Sequence, residues 1–301
     1  MSAAFDYDAA FARNIGWVTA AEQQVLRRKR VAIGGMGGVG GIHVLTLARL
    51  GIGAMNLADY DVFEIANFNR QAGATISTLG QPKVHVMEAM ARDIDPYLDL
   101  RIFSEGITEN SIDAFLRDVD VYVDGLDFFA FKARRMTFAA CAQRRIPAVT
   151  VAPLGMGAAL LNFLPGRMTF DRYFGLEGVP DDELALRFLL GLSPAMLQRK
   201  YLADPSAVNL AAQRGPSTVM ACQLCAGIAA TETLKLLLRR GKVHAAPTAL
   251  HFDAYRGKLR ITRRVWGNRN PLQRLAMAIA RRQLRKMREA SPSFGPAVKE
   301  K

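Results

Sequence analysis

Arg30-Val31-Ala32-Ile33-Gly34-Gly35-Met36-Gly37-Gly38-Val39-Gly40 decides the fold: a short apolar strand ends in a glycine loop, and residues 40–50 continue as a helix. Residues 35–40 satisfy G-x-G-x-x-G in a strand-turn-helix setting. A side chain at these glycines would hold the backbone away from phosphate oxygens, and the following helix presents free N–H groups and a partial positive charge to them. Gly35, Gly37, Gly38 and Gly40 are therefore candidate nucleotide-binding residues. The plainer alternative, glycines that only make a tight turn, is disfavoured by the correct βαβ pattern around them.

Outward from the loop, residues 54–58 read as a second strand, with Gly51 and Gly53 suited to the C-cap and turn before it. Helices at 82–94, 111–117 and 131–145 alternate with strands at 100–103, 119–123 and 148–151. Such strands, buried on both faces, read as short runs of Val, Ala, Ile and Leu rather than as alternating patterns. The expected fold is α/β: a doubly wound, mostly parallel, Rossmann-like sheet of at least five strands. Beyond Pro153 the order changes, to an antiparallel strand at 158–164, a long apolar helix at 219–238 and a strand pair over 249–264 turned at Arg256-Gly257.

Three segments follow from this pattern. Residues 1–28 form an N-terminal helical arm with Thr19 as an N-cap, 29–265 the nucleotide-binding domain with a helical insert at 165–215, and 266–301 a basic amphipathic tail whose end, 292–301, is expected to be disordered.

Half of the 301 residues are hydrophobic and 22% are charged, so the chain has enough apolar residues for a sizeable core. The first residues carry no basic segment followed by an apolar run, and no apolar stretch is long enough for a membrane span; a cytoplasmic location is expected. Three cysteines do not make a disulfide framework, which fits a reducing compartment. The net charge of +13 implies an anionic partner: nucleotide, nucleic acid, acidic protein or membrane surface.

Asp59 ends the second strand about 20 residues after the loop, where an acid holds a ribose hydroxyl, and that position alone would suit an NAD-dependent oxidoreductase. The next stretch points elsewhere. Asn67, Arg70 and Gln71 follow, and Gly80-Gln81-Pro82-Lys83 opens the next helix. A dinucleotide has no evident need for an Arg and a Lys there; a triphosphate does. Arg70 and Lys83 can neutralise charge that develops on a pyrophosphate leaving group when a carboxylate attacks the α-phosphorus, and Asn67 can donate to the same oxygens. Asp127 follows the strand at 119–123 at the carboxyl edge of the sheet, where an acid can reach a phosphate-bridging Mg²⁺; it is the candidate metal ligand, and it also suits an N-cap of the next helix.

Together these residues resemble the ThiF/MoeB/HesA family, the adenylating domains related to ubiquitin-activating enzymes. The resemblance rests on the glycine loop, on Asp59, Asp61, Asn67, Arg70 and Gln71, on Gly80 to Lys83, and on Asp127, and covers residues 13–151 with a weaker echo at 222–238. It implies that ATP is bound by the glycine loop, Asp59 and Asp61, that Asn67, Arg70 and Lys83 act on the triphosphate, and that Asp127 holds Mg²⁺. It implies adenylylation of a carboxylate, here the C-terminus of a small ubiquitin-like or sulfur-carrier-type protein. It also implies a homodimer in which Arg13 reaches the partner's ATP.

Two departures bear on the chemistry. A single C-x-x-C pair, Cys222 and Cys225, falls within a predicted helix, so no zinc is expected where four ligands are needed. Residues 211–216 contain no thiol for a thioester, and Cys141 sits in mid-helix, so the chemistry is expected to stop at the acyl-adenylate or pass it to an outside nucleophile. Phe128 and Phe129 stand where relatives commonly carry a polar residue. In the tail, Arg281, Arg282, Arg285, Lys286 and Arg288 are set against Leu272, Leu275, Ile279 and Leu284; an acidic carrier protein, a membrane surface, a nucleic acid, or the chain's own domain could take such a helix. No aromatic residues interleave with the arginines, which makes nucleic acid the less favoured partner. The alternatives carried forward are a relative acting on a carboxylate of modified tRNA, an NAD-dependent oxidoreductase, and a non-catalytic nucleotide-binding module.

Overall fold

The computed structural model describes residues 5–290 except Ala211 and Arg214. The expected disordered end at 292–301 lies outside the described residues, as do the side chains of residues 284–290.

One eight-stranded sheet organises the described residues: β1 (Arg30–Gly34), β2 (Ala54–Ala58), β3 (Asp99–Phe103), β4 (Val121–Asp124), β5 (Ala148–Leu154), β6 (Gly157–Phe163), β7 (Thr248–Asp253) and β8 (Lys258–Arg263). Their spatial order is β3-β2-β1-β4-β5-β6-β7-β8; the first five are parallel, and β6, β7 and β8 add antiparallel. The chain therefore leaves β1 in one direction for β2 and β3 and later returns on its other side for β4 and β5. The crevice at the carboxyl ends of β1 and β4 is the topological switch point, where ligands of such sheets bind.

Alternate strand residues face two separate cores. Val31, Ile33, Met55, Leu57, Val121 and Val123 pack under the helices Gly40–Arg49, Lys83–Ile94 and Val219–Leu237. Ala32, Tyr122, Ala148 and Leu161 face the other way, toward Phe131–Gln143 and the segment 165–215. That segment is packed onto the sheet through aromatic side chains: Phe170 stacks on Phe138 with ring centroids 4.4 Å apart, and Phe174 and Phe188 join the same cluster. Its 3₁₀ turn at Leu197–Tyr201 is latched to the antiparallel strands, since Tyr201 Oη donates to Asp253 Oδ2 at 2.8 Å and accepts from the Met156 N–H at 2.8 Å.

Most expected elements appear within a few residues. β5 is longer than its apolar run because it continues through Leu154 into a tight hairpin with β6, Leu154 pairing with Gly157. The tail forms the expected helix, Pro271–Ala290. It docks on the chain's own domain through Gln273, whose Nε2 donates to Leu190 O at 2.5 Å, and through Met277 against Leu186 and Leu190. Leu272, Leu275 and Ile279 are left about half exposed or more, at 60%, 59% and 47%. Among the described residues no helix is long and apolar enough to cross a membrane.

In the N-terminal arm, Thr19 caps the Ala20–Arg27 helix as its sequence predicts: Thr19 Oγ1 accepts from the Glu22 N–H at 3.1 Å, and Glu22 Oε2 accepts from the Thr19 N–H at 2.8 Å. Thr19→Ala is expected to cost about 1 kcal/mol, seen as a lower urea midpoint with an unchanged slope. An unshifted midpoint would mean that the box contributes nothing.

Candidate functional site

Main-chain bonds stitch the carboxyl ends of three strands together. The Gly35 N–H donates to Ala58 O at 2.7 Å, and the Gly125 N–H donates to Gly34 O at 2.8 Å. The approach is close enough to exclude side chains. A methyl group on Gly40 would collide with the Gly35 carbonyl, and one on Gly125 would lie 2.6 Å from Gly40 Cα. Gly37 differs, because a methyl there would meet only Gln71 Nε2, at 3.8 Å. The helix that follows has Val39 at its N-cap with no side-chain capping bond, so the N-terminus faces the loop without a carboxylate or hydroxyl of its own. This is an anion-binding arrangement.

Asp59, just past β2, reaches into the loop: it accepts from the Met36 N–H at 2.5 Å and from the Asp61 N–H at 2.7 Å. Burial pushes its carboxyl above the usual value, and those two N–H bonds and the nearby Lys83 pull it part of the way back. Lys83 is only 6% exposed; its Nζ lies 3.1 Å from Asp61 Oδ2, and its N–H donates to Asp61 O at 2.9 Å. A buried ammonium needs a partner, and Asp61 is that partner. Lys83, Asp61, Asp59 and the Met36 amide thus form one polar chain from the start of a helix to the glycine loop.

Arg70 lies against the same loop from the other side. A methyl on Gly38 would be 3.4 Å from Arg70 Cγ and 3.1 Å from Cys222 Sγ. The guanidinium donates to Ala66 O at 3.1 Å and to Asn69 Oδ1 at 2.8 Å. Asn67 is buried, and its Oδ1 accepts from the Glu64 N–H at 2.9 Å, so its carbonyl is spent on holding the turn that carries Arg70. Gln71 is also buried, and its Oε1 has no hydrogen-bond partner among the described residues. A buried acceptor without a partner beside a phosphate-type loop is expected where a ligand or water completes the site.

Asp127 is exposed, and its Oδ2 accepts from the Phe129 N–H at 2.9 Å. It does not cap the next helix, which begins at Phe131 with Ala130 at the N-cap. Burial raises the Tyr60 phenol, and the carboxylates of Asp61, Asp59 and Asp127 raise it further. Among the described residues no group of three or more His, Cys, Asp or Glu side chains converges to hold a metal alone. The structure therefore brings together the loop glycines, Asp59, Asp61, Asn67, Arg70 and Lys83, with Asp127 on the adjoining strand end. It does not bring Arg13 to them. Asn14 Nδ2 donates to Leu50 O at 3.3 Å, which anchors that turn at the far end of the Gly40–Arg49 helix, about 15 Å along the helix axis from the loop.

Sequence reading missed what holds the strand end at 125–128. Arg134 and Asp124 are both buried, with Nε 2.9 Å from Asp124 Oδ2. The remaining guanidinium nitrogens donate to Leu126 O at 2.7 Å, Asp127 O at 2.9 Å and Phe128 O at 3.2 Å, while Thr150 Oγ1 donates to Asp124 Oδ2 at 2.8 Å. The Arg134 guanidinium also lies 4.8 Å from the centre of the Phe188 ring. Phe128 packs on Phe188 and Phe131 with centroids 5.1 and 6.2 Å apart, so it closes the aromatic core as well as lining the strand end. The sequence carried no clear signal for it, since Arg134 stands beside Lys132 and Arg135 in a basic stretch.

All three thiols are buried, although Cys222 lies against the glycine loop at Gly38. Cys141 is buried and pushed up to about 12 by desolvation. Cys222 and Cys225 lie inside the Val219–Leu237 helix; burial raises both, and Ser217 and Arg70 oppose the shift at Cys222. The surface of the described residues includes a cleft of about 420 Å³ beside Ile107, Asn110 and Lys132, and an apolar groove of about 850 Å³ between the Val219–Leu237 helix and β6–β8. The larger groove contains none of the charged residues of the loop.

Residues 11–275 match the ThiF family. tRNA threonylcarbamoyladenosine dehydratase of Bacillus subtilis (strain 168) is 36% identical over 137 residues, 45% of this chain and 52% of that protein. Sulfur carrier protein ThiS adenylyltransferase of Escherichia coli (strain K12) is 30% identical over 143 residues, 48% of this chain and 56% of that protein. The chain thus spans about half the length of the curated relatives it matches. Among solved structures, E. coli tRNA N6-threonylcarbamoyladenosine dehydratase in complex with ATP superposes with a TM-score of 0.57 at 20% identity, covering 78% of this chain and 97% of that one. The fold is shared.

Two glycine substitutions separate packing from loop chemistry. Gly40→Ala is expected to destabilise the chain by about 3 kcal/mol or more, because backbone must move, whereas Gly37→Ala should stay within about 1 kcal/mol of wild type. Equal urea midpoints for the two variants would contradict the backbone contact described above.

Proposed function

The chain belongs to the ThiF family, and from that premise we propose that it binds ATP at the glycine loop and adenylylates a carboxylate, releasing pyrophosphate. The observation that carries the reading is the polar chain from buried Lys83 through Asp61 and Asp59 to the Met36 amide. A nicotinamide enzyme needs only the acid at the end of β2; a lysine buried beside it serves an additional phosphate.

In the proposed reaction a carboxylate oxygen attacks the α-phosphorus, the bond from that phosphorus to the bridging oxygen breaks, and pyrophosphate leaves with the electron pair. The loop amides hold the phosphates, Asp59 takes a ribose hydroxyl, and Lys83 and Arg70 offset the charge that grows on the leaving group. Asn67 holds the turn that carries Arg70. Asp127 is the residue here to hold Mg²⁺, which would supply charge neutralisation on the phosphates.

The acceptor follows from what is lacking as much as from what is present. Burial disqualifies Cys141 as a nucleophile, so the acyl-adenylate passes to a group outside the chain. A small carrier protein with a free C-terminal carboxylate is the substrate we favour, in line with the relative named as acting on a sulfur carrier protein. One observation favours a second reading, a carboxylate on modified tRNA: the 36% identical relative is named for that substrate, and the net charge here is +13. Arg13, remote from its own chain's loop, is proposed to act on the nucleotide of a second copy in a homodimer.

ATP–pyrophosphate exchange in the presence of a carrier protein tests the chemistry. Lys83→Ala is expected to lower exchange by about a hundredfold or more, and full exchange in that variant would remove the assignment. Mixing Arg13→Ala with Lys83→Ala chains tests the dimer: each alone is expected to be nearly inactive, and the mixture to regain part of the exchange. A mixture as inactive as its components would mean that Arg13 does not act across copies.

A further inference from the structure

Residues 254–288 contain twelve Lys or Arg and neither Asp nor Glu, so this one segment supplies +12 of the chain's net +13 and leaves the rest near neutrality. The excess charge is thus local, carried by β8, the Pro271–Ala290 helix and the turns beside them. Lys258, Arg260, Arg263, Arg274 and Arg282 are exposed, and none of them pairs with a carboxylate among the described residues. Arg269, just before the helix, pairs with Glu177 at 3.2 Å, and Arg281, on the helix, pairs with Glu183 at 2.8 Å.

The helix is thereby presented as a ridge, docked by Gln273 and Met277 with its other face outward. That outward face is apolar in its first half. Leu272, Leu275 and Ile279 recur at helical spacing and are 60%, 59% and 47% exposed, and Trp266, in the turn just before the helix, is 59% exposed. Aliphatic and indole groups flanked by unpaired arginines are the pattern of a helix that lies in a bilayer interface, its apolar side among acyl chains and its cations at anionic headgroups. A nucleic-acid backbone would use the cations but gain nothing from three aliphatic side chains, and no aromatic residues alternate with the arginines on the helix to stack bases.

We propose that the Pro271–Ala290 helix, with Trp266 and the arginines beside it, docks the protein onto an anionic lipid surface. Charge brings the segment to the headgroups, and Leu272, Leu275 and Ile279 enter the boundary below them. The proposal does not depend on the adenylylation chemistry, since none of these residues lies at the glycine loop.

The full chain should be sedimented with phosphatidylcholine vesicles that contain or lack phosphatidylglycerol, in parallel with pyrophosphate exchange. The expected result is binding to the anionic vesicles only, weakened by salt. The triple variant Leu272→Ser, Leu275→Ser and Ile279→Ser should lose binding by roughly tenfold or more and keep its circular dichroism and its exchange activity. In a Trp17→Phe background, which leaves Trp266 as the remaining tryptophan, emission should shift to the blue on anionic vesicles. Three results would overturn the proposal: retention of vesicle binding by the triple variant; RNA binding by wild type and triple variant alike with no vesicle binding by either, which would assign the cations to nucleic acid; or a wild-type dimer that the triple variant converts to monomer, which would assign the stripe to a second copy.

Discussion

Main chain meets main chain at the carboxyl ends of β1 and β4, and everything at the site is placed by that contact. With Gly125 against Gly40 and Gly40 against Gly35, no side chain separates the glycine loop from the loop after β4. The consequence is geometric. Asp59 can reach the Met36 amide only because the loop sits this deep, and Asp127 can face the same crevice only because its strand end is pulled next to the loop. A β-carbon anywhere in the contact would push the two strand ends apart and with them every charged group described.

A second constraint keeps that strand end from collapsing. Arg134 binds three successive carbonyls, 126 to 128, and shares a buried carboxylate with Thr150. An ion pair so deeply buried adds little net stability compared with apolar packing, but losing one partner leaves an uncompensated charge, at a cost of about 3–5 kcal/mol. The pair therefore serves position more than stability: it sets the course of the backbone on which Asp127 and Phe128 stand.

Much of this was legible in the sequence, and the parts that were not share a cause. The strand-loop-helix run at 30–50, the parallel strands and the Thr19 box are local, each decided by residues within one or two turns of each other. The joint presence of Asp59, Arg70 and Lys83 was legible because all three belong to one continuous crossover. Asp124 with Arg134 was not, since nothing in a residue's type says that a charge ten positions away will be buried with it. The alternative role of Asp127 as an N-cap is not met for a similar reason: Arg134 takes the carbonyls of residues 126 to 128, and the helix begins at Phe131. Which face of the tail helix meets the domain was not legible either: apolar residues at helical spacing do not say what covers them, and here Gln273 and Met277 go in while Leu272, Leu275 and Ile279 stay out.

The charge distribution divides the molecule as the topology does, with a near-neutral nucleotide domain on one side and the cationic β8 and tail helix on the other. The account as a whole rests on what the polar chain from Lys83 to the loop is for. The direct measurement is a crystal structure of the protein soaked with a non-hydrolysable ATP analogue. It should show phosphate oxygens on the amides of the glycine loop, with Lys83 Nζ and the Arg70 guanidinium within about 3 Å of them, the reach of a charge-assisted hydrogen bond. Both cations standing more than about 10 Å from any phosphorus, a Debye length at ordinary salt, would contradict it.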